Sequence, residues 1–149
     1  MARSSTPVIK PVAARDAAPS AEEFAVLARF RAALREFLAF SEQSAAEIGM
    51  TMQWYHALLV VKTSGGDAPV SVGRLAELLR IKDHSAAELV SRLVEAKLLR
   101  RKTDAQDRRR SLLVMTPLGE RRLAQLAAAH LTRLRENEDA FPDIFLPEP

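Results

Sequence analysis

The chain has 149 residues, enough for one domain or one compact module with extended arms. It contains no cysteine, which excludes a disulfide scaffold, a cysteine zinc site, a thiol nucleophile and a thiol redox sensor. Apolar residues make up 48%, too many for a fully disordered chain, and a formal net charge of +3 by itself names no partner.

Residues 1–19 are punctuated by Pro7, Pro11 and Pro19 and read as an extended or mobile arm. They lack the apolar middle of a secretory signal, and no stretch of the chain offers the ~18 uninterrupted apolar residues of a membrane span. A cytoplasmic protein with no membrane partner is expected. Ser20 followed by Glu23 forms a capping-box pattern, which starts a long helix over about 21–48. Phe24, Leu27, Phe30, Leu34, Phe37 and Leu38 recur on it every three or four residues, and Gly49 ends it. Thr51 then caps a second helix, about Met52 to Thr63, carrying Trp54, Tyr55, Leu58, Leu59 and Val61. The turn that follows, Ser64 to Asp67, lacks the Lys-Ser/Thr of a phosphate-binding loop.

Val70 and Ser71 allow only a very short strand, and Ser71 also suits the cap of a short helix. Its apolar residues Val72, Leu75, Ala76 and Leu79 stand at i, i+3, i+4 and i+7. After a brief turn at Arg80 to Lys82, another helix starts at Asp83 or His84. Ala86, Leu89, Val90 and Leu93 repeat the same spacing there. Two short amphipathic helices joined by a tight turn form a helix-turn-helix. Leu98 to Thr103 and Arg110 to Met115 read as the two strands of a hairpin with a polar tip between them. Thr116-Pro117 starts the last helix, to about Asn137. Beyond it Phe141, Ile144, Phe145 and Leu146 are too apolar for a free tail and predict a docked segment.

Charge is uneven along this order. Residues 74–122 carry 13 basic and 7 acidic side chains, and residues 97–110 alone carry 7 and 2. Such clustering is the electrostatic footprint of a nucleic-acid partner, although a charged run by itself is equally a solvated face. With Ala86, Leu89, Val90 and Leu93 in the core, the opposite face of their helix shows His84, Ser85, Glu88 and Arg92, with Lys82 just before it. The major groove of B-DNA admits one helix, and residues near its N-terminus reach base edges. Arg108, Arg109 and Arg110 lie at or beside the hairpin tip, suited to a minor groove, and Asp107 is placed to pin one guanidinium and fix the loop.

These residues carry a resemblance. Thr51 to Leu123 resembles the MarR family of winged helix-turn-helix transcriptional regulators, through Val72 to Leu79, His84 to Val90 and Arg92 to Arg101. The most telling part is Asp107-Arg108-Arg109 followed by Met115-Thr116-Pro117-Leu118-Gly119, similar to the family's Asp-x-Arg and Leu-Thr-x-x-Gly. Met115 replaces the usual leucine, and Lys97 stands where glycine is common. The resemblance implies a mainly α fold with a small β-hairpin. The winged helix-turn-helix would span about 52–116, and the chain would dimerise through helices at about 21–48 and 117–149. It implies a homodimer on a pseudo-palindromic operator in double-stranded DNA, Arg109 as the wing arginine, and release by a small, often aromatic or phenolic, effector. Phe30, Phe37, Trp54, Tyr55 and His56 are the candidates to border its pocket, although aromatic residues at helical spacing are also ordinary core. A repressor is expected.

Two other function classes compete. A winged helix used only for protein–protein contact gains little from so many exposed cations. An enzyme finds no support: His56, His84 and His130 lack metal-ligand spacing, and neither G-x-S-x-G nor G-x-G-x-x-G occurs. No catalytic residue, metal or cofactor is expected.

Overall fold

The computed structural model describes residues 18–65 and 69–137. The predicted apolar docking segment at Phe141 to Leu146 and most of the proline-punctuated arm lie outside them. The order is α1 (Ala21–Glu47), α2 (Met52–Ser64), β1 (Val70–Ser71), α3 (Val72–Leu79), α4 (Asp83–Glu95), β2 (Leu99–Thr103), β3 (Ser111–Met115) and α5 (Pro117–Glu136). This is the winged helix-turn-helix arrangement, with a long helix at either end. No described helix is long and apolar enough to cross a membrane.

Local chemistry sets the helix starts. Ser20 accepts from the Glu23 amide at 3.2 Å while the Glu23 carboxylate accepts from the Ser20 amide at 2.8 Å, a complete capping box. Thr51, Ser71 and Thr116 each accept an amide N–H from three residues on, at 3.0–3.1 Å. The helix ends share a device as well. In α1, α3 and α4 a paired 6→1 and 5→2 closure follows the last turn: Met50 to Ala45 with Gly49 to Ala46, Ile81 to Ala76 with Arg80 to Glu77, and Leu98 to Leu93 with Lys97 to Val94. Each closure needs one left-handed residue, and these are Gly49 (φ 69°), Arg80 (φ 54°) and Lys97 (φ 59°). The turn before the hairpin thus keeps the glycine-type conformation although lysine occupies it.

The two predicted strands pair as expected, Leu99↔Met115 through Thr103↔Ser111. The two residues of β1 add a third strand on the other side of β3, with Val70↔Leu113 and Ser71↔Leu112, in the order β1-β3-β2. This pairing ties the start of α3 to the root of the hairpin. The core joins Leu58 of α2, Leu75 of α3, Val90 and Leu93 of α4, Leu99 and Leu113 of the sheet and Leu126 of α5, all buried. The Thr-x-x-Gly motif locks α5 to that core. Thr116 Oγ1 shares its proton between the carbonyls of Lys97 (2.6 Å) and Leu98 (3.1 Å) and accepts from the Gly119 amide. A Cβ on Gly119 would overlap the Leu98 carbonyl oxygen, so only glycine allows this approach.

Candidate nucleic-acid interface

Helix α4 begins at Asp83, with Lys82 as its cap position. Ala86, Leu89, Val90 and Leu93 are buried, which turns Lys82, His84, Glu88 and Arg92 outward into solvent and leaves Ser85 half-buried at the edge. The helix therefore offers a polar face some three turns long, held from behind by its own aliphatic face.

The hairpin tip is organised by its aspartates. Asp107 Oδ1 accepts from the Arg109 amide at 3.1 Å and from Arg109 Nε at 3.3 Å, an Asx-type turn that holds both backbone and guanidinium. Asp104 Oδ1 accepts from the Gln106 amide at 2.9 Å, and Arg110 N to Asp107 O closes the loop. Arg108, Arg109 and Arg110 are all exposed, and the Arg109 side chain is 92% accessible. An arginine this exposed, with its backbone fixed by a carboxylate two residues earlier, is a protruding cation at little conformational cost.

Sequence reasoning missed Arg101 and Ser91. Arg101 pairs opposite Leu113 and lies two residues from buried Leu99, so its side chain leaves the inner face of the sheet. There Arg101 Nη2 donates to Ser91 Oγ on α4 at 3.0 Å, a link between wing and helix-turn-helix. The available signal was period-two alternation from Leu99, usable only once the strand start was known.

A second site lies away from this surface. A cavity of about 420 Å3 is walled by α1, α2 and α5, with Phe37, Tyr55, His56 and Leu59 among its lining residues. Of the predicted pocket residues it brings together Phe37, Tyr55 and His56. Phe30 lies two turns nearer the start of α1 and is 40% exposed, and Trp54 packs instead against the core. At about 100° per residue, Met52, Tyr55, His56 and Leu59 share one face of α2 and Trp54 lies on the other side. The cavity adds His130, which stands at i+7 from Leu123 on the buried face of α5. Its ring meets Tyr55 edge-on at 4.8 Å and Phe37 at 5.6 Å, and its Nε2 is buried with no hydrogen-bond partner among the described residues. Burial, with His56 as a neighbouring like charge, holds the His130 pKa below the ordinary histidine value. Burial likewise raises the Tyr55 phenol. Among the described residues no group of three or more His, Cys, Asp or Glu is placed to hold a metal ion.

Comparisons with known proteins point the same way. A family model described as the MarR family matches residues 48–110, the second helix through the wing. A mutant of S. aureus MepR, solved bound to an oligodeoxyribonucleotide, superposes with a TM-score of 0.66 at 21% identity, covering 83% of this chain and 84% of that one. AbsC from Streptomyces coelicolor, a MarR family transcriptional regulator, superposes at 0.64 with 22% identity, covering 88% and 86%. No curated protein gives a significant sequence match. Over its helix-turn-helix and wing the chain matches the MarR family model, and over most of its length it shares the fold of these solved structures.

Proposed function

We propose that this protein is a sequence-specific DNA-binding transcriptional regulator that acts as a homodimer. The observation that carries the reading is one continuous surface. The outward polar face of α4 stands beside a wing whose arginines are exposed and whose tip is held by Asp107. In this reading His84, Ser85, Glu88 and Arg92 meet base edges in the major groove, with Lys82 at its rim. Arg109 enters the flanking minor groove, with Arg108 and Arg110 toward the backbone. The S. aureus relative seen with an oligodeoxyribonucleotide supports the same partner.

The dimer follows from α1. Phe24, Leu27 and Phe30 on its first half are 57%, 55% and 40% exposed, an apolar stripe that a second copy would cover. Two copies would set two α4 helices into successive major grooves about 10 bp apart, on a pseudo-palindromic operator. Such a footprint competes with polymerase, which favours repression. The cavity supplies release. Its wall is one face of α2, and the opposite face of α2 buries Ala57, Leu58 and Val61 in the core shared with α3. A small aromatic or phenolic effector that fits the cavity better in a second arrangement of α2 would shift the dimer away from the DNA-competent spacing.

The test is a binding assay against DNA upstream of the protein's own gene, with and without aromatic acids and their thioesters. Tight, salt-dependent binding is expected, and Arg109→Ala should weaken it by at least about 1 kcal/mol while leaving the dimer intact. No binding at moderate salt to that DNA or to sequences from a selected random pool would overturn the reading.

A further inference from the structure

The root of the wing carries a cationic groove that draws Arg109 and Arg110 from the hairpin tip and adds Arg101. A groove of about 360 Å3 opens between the first turn of α3 and the wing. Ser71, Val72 and Gly73 form one side, and Arg101, Arg109, Arg110 and Ser111 form the other. Three guanidiniums line it and, among the described residues, no carboxylate does. Of the three, only Arg109 has a compensating charge among the described residues, through Asp107. Arg101 meets a hydroxyl, Ser91, and Arg110 makes no ion pair among the described residues. Like charges gathered in one concavity repel until an anion sits among them.

Strand register explains why they gather. Arg101 and Ser111 lie on the inner face of the sheet, in the rows of Leu99 and Leu113, beyond the last buried aliphatic. The two-residue strand β1 brings the start of α3 against β3 at that point. Gly73 leaves the mouth open, since a Cβ there would meet nothing within 4 Å. A groove of this kind fits a compact tetrahedral oxyanion, whose oxygens accept the forked N–H groups of arginine and serine hydroxyl protons. A base edge is recessed in its groove and is met by a protruding side chain, which the tip provides and the root does not.

We propose that this wing-root groove is the seat of one backbone phosphate of bound DNA, and that the Arg101–Ser91 hydrogen bond fixes its offset from the recognition helix. The wing then has two adjoining parts, with Arg109 at their border. Its tip enters the minor groove, and its root grips the sugar-phosphate backbone and ties that grip to α4. The inference rests on the DNA-binding reading above.

The experiment uses the full chain and a duplex the wild type binds, with fluorescence anisotropy over a salt series. In a dimer with one seat per half-site, Arg110→Gln and Arg101→Gln should each lower the slope of log K against log salt by up to about 1.8, the share of two phosphate contacts. They should weaken preferred and unrelated duplexes by the same factor. Gly73→Leu should weaken both duplexes alike by filling the mouth with no change of charge. Ser91→Ala should keep the salt slope and lose roughly threefold in affinity, because it removes one exposed hydrogen bond that positions Arg101 and no charge. A scan of single methylphosphonate substitutions supplies the decisive arm. One neutralised position per half-site should weaken the wild type and have no further effect on Arg110→Gln. Thermal melts of the variants within a few degrees of wild type show that the fold is kept. An unchanged salt slope, a loss confined to the preferred sequence, or a methylphosphonate penalty that persists in Arg110→Gln would overturn the seat while leaving DNA binding in place. A wild type that binds no duplex would overturn DNA binding itself and the seat with it.

Discussion

Leu93 and Leu27 are both leucines on the apolar stripes of helices, yet one is wholly buried and the other is 55% exposed. Leu93 belongs to a lobe whose short elements close on one another: α3 on α4, α4 on β2, and β1 on β3. Leu27 belongs to the first half of α1, where every residue from 21 to 31 is exposed. The lobe completes its core within one chain. The first half of α1 has the capping box and helix-forming residues to be a helix, but nothing within the described residues covers its apolar side. Local signals are enough to form a helix, whereas burial needs a partner surface, and among the described residues only the lobe has one.

The largest expected effect tests this contrast directly. Leu93→Ala should lower the unfolding free energy by about 3 kcal/mol, through lost burial and a residual cavity. Leu27→Ala should change the stability of the dilute monomer by less than about 0.5 kcal/mol. It should instead raise the dissociation constant of the proposed dimer in sedimentation velocity. Equal destabilisation by the two, independent of protein concentration, would remove the distinction between a finished lobe and an unfinished helix.

Gly119→Ala is next. It probes how tightly the lobe is fastened to α5, because the added Cβ has the Leu98 carbonyl in its path and backbone cannot swing aside as a side chain can. A loss of about 2 kcal/mol is expected in denaturant titrations, within the range for overpacking. A neutral result would mean that α5 can slide on the sheet. Lys97→Gly should act in the opposite direction by about 1 kcal/mol, since it removes the Cβ clash from a left-handed residue. The same substitution on a right-handed helical residue would be destabilising, so the sign of the change reports the turn.

The sequence was informative wherever the determinant is local. Ser20 with Glu23, Thr51, Ser71 and Thr116-Pro117 name the helix starts because a cap acts over three residues. The i, i+3, i+4, i+7 set of α4 names its buried face and, by exclusion, its outward one. Pairing information is of a different kind. Nothing in Val70-Ser71 says that it joins β3, and without that strand neither the wing-root groove nor the inward course of Arg101 can be foreseen. The cavity was half legible. Phe37, Tyr55 and His56 were foreseen from their helices, but Phe30 and Trp54 do not join them, because the rotation of two helices about their axes decides which aromatics face each other. His130 was accessible in principle, since Leu123, Leu126 and His130 share one stripe. Read as a lone histidine without metal spacing, it gave no sign that it would sit among Phe37, Phe40 and Tyr55.

The smallest effect concerns that histidine, which stands where α1, α2 and α5 meet and so at the joint between the two regions. The groups facing it are Phe37 and Phe40 from α1 and Tyr55 and His56 from α2, with no carboxylate among its described ring contacts. Burial keeps its folded-state pKa below that of the unfolded chain. Between the two values the unfolded chain binds the proton and the folded one does not. The stability held by neutral His130 is therefore complete above the ordinary histidine value of about 6.5 and declines as pH falls through that value toward the lowered one, where the decline ends. Denaturant titrations from pH 8 to pH 5 should show this fall in the wild type and a flatter profile in His130→Phe, which keeps a ring in the cluster and removes the titration. The α1 stripe carries no such group, so the pH dependence should appear in monomer unfolding and be absent from the dissociation constant of the proposed dimer. If the pH dependence were found in dissociation instead, the joint and the dimer face would be one cooperative unit, and the boundary drawn between Leu93 and Leu27 would have to move toward the start of α1.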